Sequence, residues 1–301
     1  MDILDTLLSF AQLSGNISMQ CHFQQEWYVP HQDEQSQGIV HIVTQGKSYL
    51  KLENNEKTIL INEGDVIFFP RAKKHILSNN IHFSYPNNTS IQNKNNIISF
   101  NKNHSQKIIF SLLCVKFNYN KYSDLFNNLP ETIILNLKEP SLKHIISILQ
   151  EEIQKSKYGS ISIINSLSEV LLILLVRTYL AQENTKLTGV LNGLQDKRLY
   201  KVINNIIQQP EKKWNVTQLS EAANLSKSQL IRLFNQQIGF SPHTFITHIR
   251  LQKAAKLLHS SQENILSIAL NCGFQSETNF GKAFKKYFGI TASQYRKNRN
   301  I

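Results

Sequence analysis

The sequence predicts an α+β protein in which an antiparallel β-barrel is followed by a helical region and then by an all-α domain. Three observations predict this class. Short apolar segments separated by turn residues recur about every eight to ten residues over 38–70, helical periodicity replaces them after Pro140, and one helix-turn-helix pattern occurs twice in the last third of the 301 residues. We therefore expect domains over 1–125, 126–195 and 196–301.

The β-domain is predicted from four short apolar segments, IVHIVT, KSYLKL, KTILIN and DVIFFP, with turn residues such as Gly46, Asn55 and Gly64 between them. Strands at this spacing favour a small antiparallel barrel or sandwich. Residues 79–106 are rich in Asn, Ser and Lys and predict a long loop. The apolar segment 108–117 is expected to return to the sheet, and a helix is expected at the N-terminal MDILDTLL.

Two helices are predicted after Pro140. In the first, apolar residues recur at i, i+3, i+4 and i+7, at Leu142, Ile145, Ile146 and Leu149. The second, over 161–180, is apolar on most of its circumference, but its Ser, Glu and Arg side chains argue against a membrane span. We expect this helix to be buried or to form a homodimer interface, and a polar linker over 182–193 to follow it.

The last domain contains the same pattern twice, fifty residues apart. Ser226 aligns with Ser276, and Gly239 aligns with Gly289. In each copy the serine is predicted to cap a second helix and the glycine to end it. A connecting helix over 242–258 would span roughly 25 Å. This length suits two helix-turn-helix motifs that bind successive major-groove segments of one DNA duplex.

The charge of the chain is concentrated in the same domain. Residues 196–301 carry a net charge of +11, and residues 1–195 carry +1. A basic segment joined to a neutral one indicates a polyanionic partner for the basic segment. The charge distribution therefore agrees with a DNA-binding role for the last domain.

Within each second helix the apolar residues identify the buried face, so the opposite face carries the candidate DNA contacts. In the first motif this face carries Arg232, whose guanidinium can donate two hydrogen bonds to guanine O6 and N7. Lys285, Lys286, Arg250 and Lys253 are better placed to contact phosphates. The alternative for each of these cations is a solvated surface charge.

Two segments resemble the AraC/XylS family of bacterial transcription regulators. They are WNVTQLSEAANLSKSQLIRLFNQQIGFSPHTF and AAKLLHSSQENILSIALNCGFQSETNFGKAFKKYFGITASQYRKN, and the resemblance covers 196–299. It implies one domain with two recognition helices that binds double-stranded promoter DNA as an activator and contacts RNA polymerase. It also implies that the base-facing residues are Ser228, Ile231 and Arg232 in the first helix and Glu277, Thr278, Asn279 and Lys282 in the second.

One of these residues departs from the family pattern. Lys282 stands where the family often has arginine. Lysine lacks the planar fork of the guanidinium. The resemblance therefore implies a less strict readout at the second half-site.

Residues 64–79 resemble the second motif of cupin barrels, with Ala72 in place of a glycine. The first cupin motif, which supplies two histidines and a glutamate to a metal, is incomplete because His41 stands alone. His31 and His75 are candidates to join it, since three neutral imidazoles can hold a divalent metal. We favour the other interpretation, in which His41 and His75 are hydrogen-bonding residues left from an ancestral site, and we expect no metal and no cofactor.

Residues 1 to about 180 resemble the cupin-type sensor of one AraC subgroup, some of whose members respond to reactive oxidants such as hypochlorous acid. Cys21 and Cys114 fall at positions where this subgroup carries cysteine. A redox role for Cys21 requires neighbouring groups such as His31 to lower the pKa of its thiol. The alternative is a core position for each cysteine, which we expect in any case for Cys272.

Taken as a whole, the sequence indicates a cytoplasmic transcription regulator that forms a homodimer and has no catalytic residues. The N-terminal MDILDTLLSF is acidic and lacks the basic start of a secretory signal. The expected signal is an oxidant acting through cysteine, or else a small molecule or a metal. A metal-dependent cupin enzyme fused to a DNA-binding domain is the alternative from another class, and it lacks both an intact first metal motif and an acid/base pair.

Overall fold

The computed structural model describes residues 2–31, 37–53, 57–83, 91–94, 97–100, 107–136, 140–155, 157–182, 185 and 187–297 of a chain that forms two compact units. The β unit consists of Leu13–Tyr119 and Pro130–Thr185, and the helical unit consists of Met1–Gln12, Asn120–Leu129 and Lys186–Ile301. The predicted division placed residues 1–12 and 120–125 with the β-domain, whereas the structure groups them with the C-terminal helices.

The strands of the β unit are β1 (Ser14–Phe23), β2 (Tyr28–His31), β3 (Gly38–Gln45), β4 (Lys47–Leu52), β5 (Thr58–Asn62), β6 (Asp65–Phe69), β7 (His75–Ser78), β8 (Ile91–Lys94), β9 (Ile97–Phe100), β10 (Phe110–Asn118) and β11 (Ile133–Asn136). They form a larger sheet in the order β11-β6-β3-β10-β1-β9-β8 and a smaller sheet in the order β2-β7-β4-β5. Neighbouring strands are antiparallel except β1 and β9. The predicted antiparallel β-domain is therefore confirmed.

The long loop predicted over 79–106 contains two strands, β8 and β9, so that prediction is wrong for this part of the segment. Strand β9 runs parallel to the end of β1, with Gln20 opposite Ile97 and Phe23 opposite Phe100. Backbone hydrogen bonds to an open sheet edge do not require an alternating apolar pattern. The Asn-rich composition of the segment therefore gave no indication of these strands.

The inner faces of the two sheets enclose the core of the β unit. Side chains alternate between the faces of a strand, so Val43 and Phe69 point inward from the larger sheet and Leu50 and Leu77 from the smaller one. His41 is two residues before Val43 on β3 and lies on the same inner face. A polar side chain is thus placed inside the core.

Two helices of the β unit, α3 (Pro140–Lys155) and α4 (Ser160–Leu180), pack against β1 and against each other. Gly15 on β1 allows the close approach of α4, because a Cβ at this position would lie 2.7 Å from the backbone oxygen of Asn165. Among the described residues, α4 is the one helix long and apolar enough to cross a membrane. Its contacts with β1 and α3 bury one side of the helix, and Ile161, Ile163 and Val170 remain exposed.

The remaining helices, all in the helical unit, are α1 (Ile3–Ala11), α2 (Asp124–Asn127), α5 (Gly189–Gln195), α6 (Lys197–Gln208), α7 (Val216–Ala222), α8 (Lys227–Ile238), α9 (Pro242–Ser260), α10 (Ile265–Asn271), α11 (Glu277–Phe288) and α12 (Ala292–Lys297). The run from α6 to α12 confirms that the last domain is all-α, as predicted. Helix α5 begins inside the segment 182–193 that was predicted as a polar linker and extends beyond it, and its Val190 and Leu191 are buried where α5 packs on α6 and α8.

Helix α1 belongs to the helical unit because it packs against α6 and α9. Its buried side chains are Ile3, Leu7 and Phe10, spaced at helical intervals on one face. Asp2 caps the helix, since its carboxylate accepts a hydrogen bond from the Asp5 amide. An N-terminal helix was predicted, but its packing partner follows only from the tertiary structure.

Candidate nucleic-acid interface and histidine cluster

The two recognition helices, α8 and α11, begin and end at the predicted residues. The hydroxyl of Ser226 accepts a hydrogen bond from the Gln229 amide at 3.3 Å, and the hydroxyl of Ser276 accepts one from the Asn279 amide at 3.2 Å. The glycines that follow the helices, Gly239 and Gly289, have φ angles of +94° and +76°. A left-handed residue at this position favours glycine and stops the helix. The internal repeat seen in the sequence is therefore also a structural repeat.

Each recognition helix buries one face and exposes the other. Helix α8 buries Leu230, Phe234 and Ile238, and α11 buries three phenylalanines at the corresponding spacing. The predicted base-facing and phosphate-facing side chains on these two helices are all exposed, namely Ser228, Ile231, Arg232, Glu277, Thr278, Asn279, Lys282, Lys285 and Lys286. The structure thus places them on the faces open to a partner.

The cations on these faces are available for a polyanion. Among the described residues, Arg232, Lys282 and Lys285 form no ion pair. Arg250, predicted to contact a phosphate, also bonds within the protein: its Nε–H donates to the Pro210 carbonyl at 2.7 Å and its Nη2 to the Lys212 carbonyl at 3.0 Å. A half-buried guanidinium needs hydrogen-bond acceptors, and these two carbonyls supply them. The bonds therefore hold the segment before α7 on α9.

The two motifs share one connecting helix. Helix α9 has 19 residues and is therefore roughly 28 Å long. It packs against α8, α10 and α11, so both motifs belong to the same packed unit. This length is comparable with the roughly 34 Å of one turn of B-DNA.

Three histidines converge inside the β unit: His31 on β2, His41 on β3 and His75 on β7. Their candidate ligand atoms all lie within 4.8 Å of one another. The ring centroids are 4.6 Å apart for His31 and His41, 4.6 Å for His31 and His75, and 4.9 Å for His41 and His75. The three imidazoles therefore form one cluster, which spans the gap between the two sheets.

Hydrogen bonds in this cluster define where the protons are. Nδ1 of His75 lies 2.7 Å from the Lys73 carbonyl, which only accepts, so this nitrogen carries the proton. Nε2 of neutral His75 is then an acceptor, and Nε2–H of His41 donates to it at 2.7 Å. Nδ1 of His41 is left as a buried acceptor with no hydrogen-bond partner among the described residues.

Burial keeps the inner two imidazoles neutral. Removal from water lowers the pKa of His75 to about 4 and lowers the pKa of fully buried His41 well below its ordinary value. Phe69 stacks on His75 with ring centroids 4.0 Å apart. Neutral imidazoles are the form in which histidine binds metals.

The cysteines of the β unit lie on neighbouring strands of the larger sheet. Cys21 is opposite Leu112, and Cys114 is opposite Met19 on one side and His41 on the other. Cys21 and Cys114 are thus diagonal neighbours on one face, at about 7–8 Å, which is at or beyond the limit for a disulfide.

Cys21 does not have the surroundings that a redox role requires, in which neighbouring groups such as His31 lower the pKa of its thiol. It is instead buried in β1, and desolvation raises the pKa of the thiol well above its ordinary value. His22 follows it on the opposite face of the strand and contacts the Ser111 hydroxyl at 3.3 Å.

The burial of all three cysteines predicts slow thiol chemistry. At pH 8 the native protein should react with an aromatic disulfide reagent at least about tenfold more slowly than the chain unfolded in guanidinium chloride, because the thiolate is the reactive form. Absorbance of the released thiol, with peptide mapping of the labelled cysteine, measures this. Fast labelling of Cys21 in the native protein would contradict the prediction and favour the oxidant hypothesis.

The cluster of three histidines was only partly visible in the sequence. His75 falls in the second cupin motif, but His31 lies outside both motifs. Convergence depends on the pairing of β2 with β7, which puts His31 opposite His75, and on how the two sheets pack. The alternating pattern of a strand indicates which face a residue occupies, but it does not indicate which strands are neighbours.

Known proteins resemble the chain along its whole length. The family described as "Cupin" matches residues 2–181, and the family described as "Helix-turn-helix domain" matches residues 219–298. The HTH-type transcriptional regulator MtrA of Neisseria gonorrhoeae is 43% identical over 298 residues, covering 99% of this chain and 98% of that protein. The RCS-specific HTH-type transcriptional activator RclR of Escherichia coli is 27% identical, covering 98% and 97%.

Among solved structures, an AraC-type regulator from Chromobacterium violaceum is 28% identical and covers 34% of this chain and 91% of that one, with a TM-score of 0.33.

Proposed function

The chain belongs to the family of AraC-type helix-turn-helix transcription regulators that carry an N-terminal cupin domain, and we propose that it is a cytoplasmic, promoter-bound activator whose β unit receives the signal. Membership makes it a DNA-binding transcription regulator. We propose further that it acts without enzymatic activity and contacts RNA polymerase from the promoter, as the resemblance to AraC/XylS regulators implies.

The proposed DNA contacts follow from the exposed faces of α8 and α11. We assign direct base readout to Ser228, Ile231 and Arg232 in α8 and to Glu277, Thr278, Asn279 and Lys282 in α11, and phosphate contacts to Lys285 and Lys286. The observation that carries this assignment is that two N-capped helices in one unit expose cations that form no ion pair within the described residues. Helices presented in this way suit the major groove.

Genome-wide binding by the full-length protein tests this function. We expect enriched sites that contain two half-sites about one helical turn apart, at promoters whose transcripts fall when the gene is deleted. Binding without sequence preference, or enrichment with no change in the neighbouring transcripts, would contradict a sequence-specific activator.

We propose that α4 forms the homodimer interface. Its exposed face carries an apolar stripe in which Ile163 and Val170 are 41% and 43% exposed, and the partly buried Leu167 and Leu174 lie between and beyond them. These four positions follow helical spacing and lie on one side. An apolar stripe of this kind, on a helix whose other side packs on β1, suits a second copy of the same helix.

A charge on this stripe should separate the subunits. Val170→Lys is expected to convert a dimer into a monomer, because an ammonium group would be buried at the helix pair. Light scattering of the full-length protein at micromolar concentration measures the mass. Leu60→Lys is the matched control, since Leu60 is 48% exposed on β5. A monomeric wild-type protein, or a dimeric Val170→Lys protein, would contradict the proposal.

We propose the inner face of the β unit as the signal-receiving site. His31, His41 and His75 lie there together with Cys114, and the surrounding side chains are apolar. An oxidant acting on Cys21 or Cys114 is the second candidate, because both thiols lie on this face. The burial of the thiols favours a ligand of the histidines over an oxidant.

A further inference from the structure

We infer that a cleft between α9 and α11 binds a small aromatic carboxylate, and that this ligand weakens DNA binding by occupying Lys286. One wall of the cleft comes from the connecting helix and the other from the second recognition helix, so the cleft lies wholly within the helical unit. The effect on DNA rests on the proposed function, whereas the binding site itself does not.

The size and the lining of the cleft suit a compact aromatic molecule. Its volume is about 290 Å³, at the lower end of the range for small-molecule pockets, which begins near 300 Å³. The imidazole of His248 lies between two other rings, with centroids 4.6 Å from Tyr287 and 4.9 Å from Phe240. Leu251 and Ala283 add apolar surface. A ligand of one or two rings can therefore bury its flat faces here.

The hydroxyl groups that line the cleft are already engaged within the protein. The Thr247 hydroxyl donates to the His243 carbonyl at 3.0 Å, and the Thr244 hydroxyl bonds the Ser241 hydroxyl at 3.0 Å. The hydroxyl of Tyr287 accepts a hydrogen bond from a glutamine of α9 at 3.1 Å. Recognition of a polar ligand group therefore falls to the nitrogen atoms of the cleft.

Two nitrogen-bearing groups in the cleft call for an acceptor. Nδ1 of His248 is buried and has no hydrogen-bond partner among the described residues. A buried nitrogen without a partner costs free energy that a bound acceptor would recover. Lys286 lines the same cleft from α11, is exposed, and forms no ion pair in the part of the chain that the structure describes.

A carboxylate satisfies both groups at once. Burial lowers the pKa of His248, so its ring is neutral near pH 7 and can carry its one proton on Nδ1. One carboxylate oxygen can accept from this nitrogen while the carboxylate pairs with the ammonium group of Lys286. A neutral aromatic molecule would keep the stacking but lose the ion pair, which makes the carboxylate the preferred ligand.

Lys286 links this cleft to DNA. It is one of the two lysines of α11 to which phosphate contacts are assigned, and one ammonium group paired with a carboxylate in the cleft is lost to a phosphate. Each phosphate contact that is lost lowers affinity for all DNA sequences and reduces the slope of log K against log salt by about one. Because the coupling is reciprocal, DNA lowers the affinity for the ligand by the same factor.

Equilibrium dialysis of the full-length protein against 2-naphthoate tests the site. We expect one molecule per chain with a Kd of about 0.1–1 mM, as suits a ligand of this size. Neutral 2-naphthol and inorganic phosphate should each bind at least about tenfold more weakly, because each lacks one of the two features that the cleft recognises. Absence of 2-naphthoate binding, or equally tight binding of phosphate, would overturn the assignment.

Variants of the cleft locate the bound molecule. Lys286→Gln and His248→Phe should each weaken 2-naphthoate binding at least about tenfold, and the phenyl ring can keep the stacking on Tyr287. Thr247→Leu, which fills the cleft from α9, is a further variant in case His248→Phe misfolds. Lys285→Gln is the matched control, because Lys285 neighbours Lys286 but does not line the cleft. Unchanged binding in the three cleft variants, or an equal loss in Lys285→Gln, would overturn the site.

Operator binding with and without 2-naphthoate tests the effect on DNA. Saturating 2-naphthoate should weaken operator binding by the wild-type protein about fivefold or more and reduce its salt slope by about one. His248→Phe should bind the operator as tightly as the wild-type protein and show no response to 2-naphthoate. Binding of 2-naphthoate in the cleft with unchanged operator affinity would overturn the coupling. A protein that binds 2-naphthoate as expected but has no sequence-specific DNA binding would refute the proposed function and support the binding site.

Discussion

Arg232→Ala is expected to weaken binding to the cognate operator by roughly 1–3 kcal/mol, which is about 5- to 150-fold, and to relax the preference at one base pair. Arg232 lies on the exposed face of α8, in the second turn of a helix that begins after the Ser226 cap. It forms no ion pair within the described part of the chain. Its loss would therefore remove the proposed base contact without breaking an ion pair among the described residues. Competition binding against a library of single-base operator variants measures both effects.

Two further substitutions separate base readout from phosphate contact. Arg232→Lys keeps the charge but loses the planar fork, so it should relax the same base preference while it leaves the salt dependence unchanged. Lys285→Ala should instead weaken binding to all sequences and reduce the slope of log K against log salt by about one. If Arg232→Ala leaves affinity and preference intact, or if it only changes the salt slope, the assignment of Arg232 to a base is wrong.

Local sequence patterns predicted the bounds and the exposed faces of α8 and α11 well because the determinants of these features are local. Helix caps act within four residues, as the bond between Ser226 and Gln229 shows, and a glycine such as Gly239 ends a helix through its own φ angle. The exposed face of α8 follows from the spacing of Leu230 and Phe234. Each of these features is encoded within about one helix.

The features that the sequence did not predict depend on contacts between distant segments. His31 meets His75 only because β2 pairs with β7, and β9 is a strand only because it completes an edge of β1. The burial of Cys21 depends on both sheets. The assignment of residues 120–129 to the helical unit likewise rests on contacts with residues more than a hundred positions away, such as the bond between Asp124 and Gln252.

The bond between Asp124 and Gln252 gives the second large prediction, because it places a carboxylate in a poorly solvated position. Nε2 of Gln252 donates to Asp124 at 2.7 Å and to the Tyr287 hydroxyl at 3.1 Å. Desolvation raises the pKa of Asp124 to about 6, and the Gln252 hydrogen bond opposes that rise only in part. Tyr287 adds to the apolar surroundings, and its own pKa is raised by the same burial. The segment 120–129 is therefore held on α9 and α11 through an acid that is costly to ionise.

Asp124→Asn is expected to raise the free energy of unfolding of the helical unit by roughly 2–3 kcal/mol at pH 8 and to have little effect at pH 4. The sign follows from the proton count. Between the ordinary pKa of aspartate and about 6, the folded state holds more protons at this site than the unfolded state, so wild-type stability falls as pH rises through that range. The Asp124→Asn protein keeps an oxygen that accepts the hydrogen bond from Gln252, and it carries no charge at this site. Its stability therefore does not fall as pH rises through that range.

Urea unfolding followed by Trp214 fluorescence in a Trp27→Phe background reports on the helical unit, since Trp214 lies in that unit and Trp27 in the β unit. Asp196→Asn is the control of opposite sign. A hydrogen bond from Arg198 lowers the pKa of Asp196 to about 2, so this carboxylate stabilises the protein above the ordinary aspartate pKa and loses that effect as pH falls toward 2. Asp196→Asn should therefore lower stability at pH 8. The free energies of unfolding of the wild-type and Asp124→Asn proteins could instead rise in parallel between pH 4 and 6. That result would show that the Asp124 carboxylate is well solvated, and the proposed cost of holding segment 120–129 would be wrong.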